Sequence, residues 1–179
     1  MLVKAKSIHG TLMAPPSKSH GQRLLLLSCL CENSNPIQNL GTDQDTQAML
    51  KAIQGLKEAK KEGQNTGTIY VGESGFALRT LAFVGNVFYE EYKMEGCGTL
   101  LNRKHKSTIE ILEQLGLSVA HKNFQLPFII SGQIKNQNLV IDGSEGSQYV
   151  SGLFLLAAIT PGSWHLQIEN LRSRAYFDM

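Results

Sequence analysis

The sequence is short of cysteine, net charge and long apolar runs, and each shortage excludes a class of protein. Its three cysteines, Cys29, Cys31 and Cys97, lack the paired spacing of a zinc ribbon, and their odd number argues against a disulfide framework. Lys and Arg total 17 against 15 Asp and Glu, so the net charge of +2 is too small for a nucleic-acid-binding surface. The apolar runs are far shorter than the roughly 20 residues of a membrane span, and the first residues, MLVKAKSIHG, lack the apolar core of a signal peptide.

The remaining composition is that of a globular protein. Hydrophobic residues make up 42% and charged residues 18% of the 179 positions, enough for one sizeable domain or two small ones. With no disulfide framework, no membrane segment and no nucleic-acid surface, we expect a protein of the reducing cytoplasm.

Three segments share one design, a turn rich in Ser, Gly or Pro followed by a strongly apolar helix. They are APPSKSHGQRLLLLSCL, IYVGESGFALRTLAFVGNVF and LVIDGSEGSQYVSGLFLLAAI. They recur at roughly sixty to seventy residues, which suggests an imperfect internal repeat, although generic α/β alternation would look similar. Two amphipathic helices are predicted between them, over 45–59 with Asp45 or Thr46 as N-cap and over 107–115 ending at Gly116. Strands are predicted at TIYVG, FIISG, NLVIDG and WHLQIEN, and a short strand or hairpin over 2–13.

The starts of the three apolar helices are candidate anion sites, because exposed N–H groups and the helix dipole favour negative charge there. Ser19 and Arg23 share a helix face next to Lys18, which suits a phosphate or carboxylate. A serine cap followed by two solvated cations explains the same residues. The GESG turn before Arg79 and the NRKHK cluster around Arg103 have equally ordinary readings, as a strand-to-helix turn and a solvated loop.

Taken together and in order, six blocks resemble the enolpyruvyl transferases, and within them the 5-enolpyruvylshikimate-3-phosphate synthases. They are PPSKSHGQR, GTDQDTQAML, GESGFALR, GCGTLLNRKHKSTIEILEQLG, DGSEGSQYVSGLFLLAA and LRSRAYFDM. The resemblance implies an α/β fold of three repeated βαβαββ units around buried, parallel helices, an inside-out α/β barrel. Residues 14–179 would form the N-terminal substrate-binding domain, and residues 1–13 would be the first segment of a second domain that is otherwise absent.

The resemblance also implies a reaction: transfer of the enolpyruvyl group from phosphoenolpyruvate to shikimate 3-phosphate with release of phosphate, in aromatic amino acid biosynthesis, with no metal or other cofactor. Lys18 would be catalytic and contact both substrates. Shikimate 3-phosphate would be bound by Lys18, Ser19, Arg23, Ser147, Gln148, Ser173 and Tyr176. Phosphoenolpyruvate would be bound by Lys18, Gly75, Arg103 and Gln148.

Five positions depart from the family pattern, with Glu73 in place of Asn, Phe76 of Thr, Gln44 of Asp, Gly146 of Ser and Lys104 of Pro. A carboxylate at position 73 would repel an anion unless it is paired, and Lys104 is a candidate partner. The family's second domain supplies an acidic base and further arginines that have no match here. We therefore expect the chain to bind its substrates weakly, to be inactive alone and to need the missing C-terminal half as its partner.

Two alternatives remain open. A sibling enzyme transfers enolpyruvate to UDP-N-acetylglucosamine and has a cysteine on the loop before its arginine; Cys97 lies on the corresponding loop, at a different spacing from Arg103. The chain could also be a non-catalytic module that keeps the anion site without the chemistry. A titration with shikimate 3-phosphate helps to separate these readings.

Overall fold

Helices and strands alternate along the chain in the computed structural model, which describes residues 7, 9–31 and 35–178. The helices in this part are α1 (Lys18–Leu30), α2 (Gln44–Glu62), α3 (Gly75–Val84), α4 (Lys106–Gln114), α5 (Gln148–Ile159) and α6 (Arg174–Phe177). The strands are β1 (Thr66–Tyr70), β2 (Glu91–Glu95), β3 (Ser118–Lys122), β4 (Gln125–Ser131), β5 (Asn138–Asp142) and β6 (His165–Glu169). Short 3₁₀ turns span Gly85–Val87, Gly98–Asn102 and Gly143–Glu145.

The strands form two sheets. The larger has the order β1–β2–β4–β3, with β1 parallel to β2 and the pairs β2–β4 and β3–β4 antiparallel. The smaller pairs β5 with β6 in parallel. Residues 66–131 therefore make one complete βαβαββ unit, and residues 138–169 make the βαβ half of another.

The predicted repeat is thus present in unequal states of completion. Helices α1 and α2 precede β1 without any strand of their own in the described residues. Most of the strand or hairpin predicted over 2–13 lies outside those residues, and the described positions 7 and 9–13 adopt no regular structure. The assignment of residues 1–13 to a second domain stays a prediction.

Helix α3 is the centre of the core. Eight of its ten residues are buried, because its sequence GFALRTLAFV is apolar on nearly every face. The Ser74 hydroxyl caps it by accepting a hydrogen bond from the Ala77 N–H at 3.2 Å. Helix α5 packs closely against α3, with the two backbones in contact. A Cβ built at Gly152 would lie only 2.8 Å from the carbonyl oxygen of Arg79.

Helix α1 is less enclosed than expected. Only four of its thirteen residues are buried, and Leu24 and Leu27 remain 36% and 43% exposed. It packs against α2, and none of the described strands covers the face that carries these two leucines. The prediction of a largely buried helix holds for α3 and fails for the outer face of α1.

Local sequence signals mark most helix ends. The corrections concern the N-cap of α2 and two strands, β2 and β3. Helix α2 is capped by Asp43 rather than Asp45 or Thr46, and the Asp43 carboxylate accepts hydrogen bonds from the Thr46 N–H at 3.1 Å and hydroxyl at 2.6 Å. Strands β2 (EYKME) and β3 (SVAHK) were not predicted, because their polar and charged positions hide the apolar alternation. The turn after α4 does use Gly116, at a φ of +91°.

Candidate anion-binding site

A cavity of about 280 Å³ opens where α1 and α5 begin and where α6 crosses them. Six of the seven residues predicted to bind shikimate 3-phosphate line it, although they are spread over more than 150 positions of the sequence. They are Ser19, Arg23, Ser147, Gln148, Ser173 and Tyr176. Lys18 is the one that does not line it.

Arg23 is held in the cavity wall by neutral groups. Its Nη1 donates to the carbonyl oxygen of Ser19 at 3.1 Å and its Nη2 to that of Tyr176 at 2.6 Å. The guanidinium also lies over the ring of Phe76, 4.8 Å from the centroid. Within the described residues no carboxylate forms an ion pair with Arg23, so its charge is available to a ligand, although burial lowers its pKa.

Lys18 is directed away from the cavity. Its ammonium pairs with the carboxylates of Asp45 and, at 3.8 Å, Asp43, both at the start of α2. The hydrogen bond to Asp45 raises the pKa of Lys18, so the side chain keeps its proton. An anion bound by Lys18 would have to compete with these two carboxylates.

A second cationic group lies over the start of α3. A Cβ built at Gly75 would be 3.3 Å from Nη1 of Arg79 and 4.0 Å from Nη1 of Arg103, so both guanidinium groups approach this turn. Burial lowers the pKa of Arg79, and the positive charge of Arg103 lowers it further. An anion bound at this helix N-terminus would reduce the repulsion between the two guanidinium groups.

Arg79 joins this group to the first cavity. Its Nη1 donates to Oε1 of Gln148 at 2.6 Å, and both side chains line the cavity. No role was predicted for Arg79, although one feature of the sequence marks it: it is the single charged residue of an otherwise apolar helix. Such a residue is retained in a core when it faces a polar site.

Two carboxylates border the cations. Glu145 lines the cavity and accepts a hydrogen bond from the Ser107 hydroxyl at 2.6 Å. Glu73 accepts from the N–H and the hydroxyl of Thr99, at 3.1 and 3.2 Å. Lys104 is therefore not the partner predicted for Glu73; the turn at Gly98 presents Thr99 to the carboxylate instead.

His105 is a buried component of this region that its sequence pattern did not mark. It is 4% exposed, and its Nε2 lies 3.3 Å from the carbonyl oxygen of Leu100, which can only accept. Burial lowers the pKa of the imidazole, and the positive charges of Arg79 and Arg103 lower it further. The hydrogen bond to Leu100 acts in the opposite direction and raises the pKa. A neutral ring thus lies next to the cationic pair, and its Nδ1 has no hydrogen-bond partner among the described residues.

The arrangement has the chemistry of an anion-binding site. Arginines, serine hydroxyls and an amide converge at helix N-termini, which is the chemistry that recognises phosphate and carboxylate groups. The described residues contain no group of three or more His, Cys, Asp or Glu side chains suited to a metal ion.

No helix in the part of the chain that the structure describes is both long and apolar enough to cross a bilayer.

The fold and the site define an α/β domain with a polar, arginine-lined cavity at the starts of its helices. The family model described as EPSP synthase (3-phosphoshikimate 1-carboxyvinyltransferase) matches residues 2–179, and the chain belongs to this family.

Individual relatives agree with this membership. The 3-phosphoshikimate 1-carboxyvinyltransferase of Chlamydia muridarum is 31% identical over 195 residues, covering 99% of this chain and 44% of that protein. Its namesake from Thermococcus kodakarensis is 30% identical and covers 96% and 44%. The solved EPSP synthase from Acinetobacter baumannii superimposes with a TM-score of 0.78 at 19% identity, over 94% of this chain and 42% of that one. The fold class is thereby confirmed, and the chain spans less than half the length of these relatives.

Proposed function

We propose that this chain is the shikimate 3-phosphate-binding half of an enolpyruvyl transferase that uses phosphoenolpyruvate and releases phosphate. The observation that carries the proposal is the cavity in which Ser19, Arg23, Ser147, Gln148, Ser173 and Tyr176 meet. These residues come from three separate parts of the chain. Their hydroxyl, amide and guanidinium groups all line one cavity, and such groups suit a phosphorylated polyol.

Shikimate 3-phosphate would place its phosphate against Ser147, Ser173 and Arg23. The hydroxyl of Ser147 makes no capping bond to α5, unlike those of Ser17 and Ser74, which cap α1 and α3. The start of α5 therefore leaves the Ser147 hydroxyl without a capping bond, in the same cavity that the Arg23 guanidinium lines. Ser19 and Tyr176 would border the ring.

Phosphoenolpyruvate would bind at the start of α3. Its phosphate and carboxylate suit the guanidinium groups of Arg79 and Arg103 beside the backbone of Gly75. Gln148, already bonded to Arg79, would contact both ligands. The two binding regions therefore share a wall, as a reaction between the two ligands requires.

The reaction forms a bond between a hydroxyl oxygen of shikimate 3-phosphate and C2 of phosphoenolpyruvate while a proton is added to the methylene carbon. The C2–O bond to phosphate then breaks, and a proton leaves the methyl group to restore the double bond. Lys18, kept protonated by Asp45, is a suitable proton donor once ligands displace its carboxylate partners. The base for the hydroxyl, further cations and the exclusion of water would come from a C-terminal half that closes over this one.

Two measurements test this proposal. Calorimetric titration of the chain with shikimate 3-phosphate should show weak, saturable binding, and UDP-N-acetylglucosamine should not bind. A steady-state phosphate-release assay with both substrates should show no turnover by the chain alone, and added C-terminal half should restore some if the two halves associate. Tighter binding of the UDP-sugar would favour the sibling reaction, and turnover without a partner would place the base within this chain.

We also propose a cytoplasmic location for the chain. The three cysteines are all unpaired, which supports a reducing cytoplasmic compartment.

A further inference from the structure

Glu73 is an acidic residue beside a site that we propose to bind an anion, and its contacts suggest what it does there. Its Oε2 accepts hydrogen bonds from both the N–H and the Oγ1–H of Thr99. Thr99 lies in the 3₁₀ turn Gly98–Asn102, directly before Arg103. The carboxylate thus binds the turn that carries the arginine, not the arginine itself.

The direction of each hydrogen bond in this group is set by chemistry. A carboxylate can only accept and a guanidinium can only donate. Nη2 of Arg103 donates to the Thr99 hydroxyl at 3.2 Å, and the single proton of that hydroxyl goes to Glu73. The chain of hydrogen bonds from Arg103 through Thr99 to Glu73 therefore has one possible polarity, and it uses the single proton of the threonine hydroxyl.

Gly98 makes this approach possible. Its φ is +54°, and a Cβ there would lie 2.2 Å from the Glu73 carboxyl carbon. The carboxylate thus occupies the space that a side chain at position 98 would fill. Glycine at this position both allows the backbone turn and admits the acid.

We propose that Glu73 is a positioning residue for Arg103: through Thr99 it fixes one end of the guanidinium and leaves Nη1 directed at the start of α3 for the anion. The inference rests on the proposed phosphoenolpyruvate site. A direct ion pair would neutralise the arginine, and none joins Glu73 to Arg103 in the described part of the chain. The relay holds the side chain while keeping its charge for a ligand.

The opposing effect is repulsion between the carboxylate and the anion. Glu73 and Arg103 are both exposed, so water screens the charge of the carboxylate strongly. Arg103, a long side chain with several free torsions, gains more from being held, because an unrestrained arginine loses that freedom on binding. Positioning therefore outweighs repulsion, and this ordering is what the variants test.

The first experiment measures the Kd of the chain for phosphoenolpyruvate by NMR titration. Glu73→Ala and Thr99→Val should each raise it, on the order of threefold to tenfold, the scale of the net contribution of one ordinary hydrogen bond. Thr99→Ser, which keeps the hydroxyl, should bind like the parent. Glu73→Gln should lie between, because the amide oxygen accepts more weakly. Glu91→Ala is the control, since Glu91 is an exposed carboxylate on β2 outside the relay. Tighter or unchanged binding by Glu73→Ala and Thr99→Val would overturn the proposal.

The second experiment needs no ligand. Rotation of the Arg103 guanidinium, followed through its ¹⁵N resonances, should be slow in the parent and in Thr99→Ser, and fast in Glu73→Ala and Thr99→Val. Free rotation in the parent would overturn the inference whatever the titration shows. A parent that restrains Arg103 and yet does not bind phosphoenolpyruvate would contradict the proposed function alone. Unchanged affinity for shikimate 3-phosphate verifies that each variant is folded.

Discussion

Helices α1 and α3 begin at the same site with similar turns, and they are held in very different ways. Helix α3 connects β1 to β2 in a complete unit, packs mainly against α5 and buries eight of its ten residues. Helix α1 packs mainly on α2 in the described part of the chain and buries four of thirteen. The comparison shows that an apolar helix becomes interior only where neighbouring elements cover each of its apolar faces.

The two parts of the site differ in the same way. Arg79 and Arg103 belong to the complete unit, which also contains His105 and the contacts between Glu73 and Thr99. Arg23 stands on α1 and depends on Phe76 and the carbonyl of Tyr176. We therefore expect substitutions near α3 to affect folding most and substitutions on α1 to affect mainly binding.

The largest expected effect is on the free energy of unfolding. Phe83→Ala on α3 removes a fully buried ring that faces Gly152, and should cost about 3–5 kcal/mol. Leu27→Ala on α1 removes a side chain that is 43% exposed, and should cost about 1 kcal/mol or less. Urea unfolding of the two variants measures both values. Equal losses would show that α1 is as much a core helix as α3.

The next effect is on binding and should leave folding almost unchanged. Arg23→Ala should weaken binding of shikimate 3-phosphate by about 1.5–3 kcal/mol, the usual scale of a hydrogen bond to a charged group. Arg174→Ala is a matched control, because Arg174 is a nearby exposed arginine that pairs with Asp178 instead. Calorimetric titration reports both. If the Arg23 variant binds as tightly as the parent, the role of this arginine is misassigned.

The smallest expected effect is on the pH dependence of the free energy of unfolding, through the protonation of His105. Because burial lowers its pKa in the folded chain, the unfolded chain binds the proton more readily. Its neutral state therefore favours folding above the unfolded pKa of about 6.5, and this contribution is lost as pH falls through that value toward the lower folded pKa. His105→Phe should flatten the fall in stability on acidification.

The control for this experiment is His165→Gln, which removes an exposed imidazole on β6. Unfolding midpoints in urea at a series of pH values below neutrality provide the measurement. An identical pH profile for parent and His105→Phe would mean that the buried ring titrates in the folded chain as it does in the unfolded one.

Sequence patterns predicted the local parts of this protein well. The turn-then-helix design predicted helices α1, α3 and α5, because caps and apolar periodicity act over a few positions. The order of six blocks indicated the family, which the family model confirms. Strands β2 and β3 escaped detection because their charged and polar positions mask the alternation, which becomes evident only once the strands are paired in the sheet.

By itself, then, the sequence determined the helix starts, the apolar centre of α3, the family, and six of the residues that line the cavity. Only the tertiary structure decided how those residues are engaged. Lys18 faces Asp45 and Asp43, Arg79 reaches Gln148 from 69 positions away, and Glu73 finds Thr99 where Lys104 was expected. Helix caps and periodicity depend on neighbours within a turn or two. A contact between distant side chains depends on how whole units pack, and here one unit is complete while its neighbours in the described chain are not.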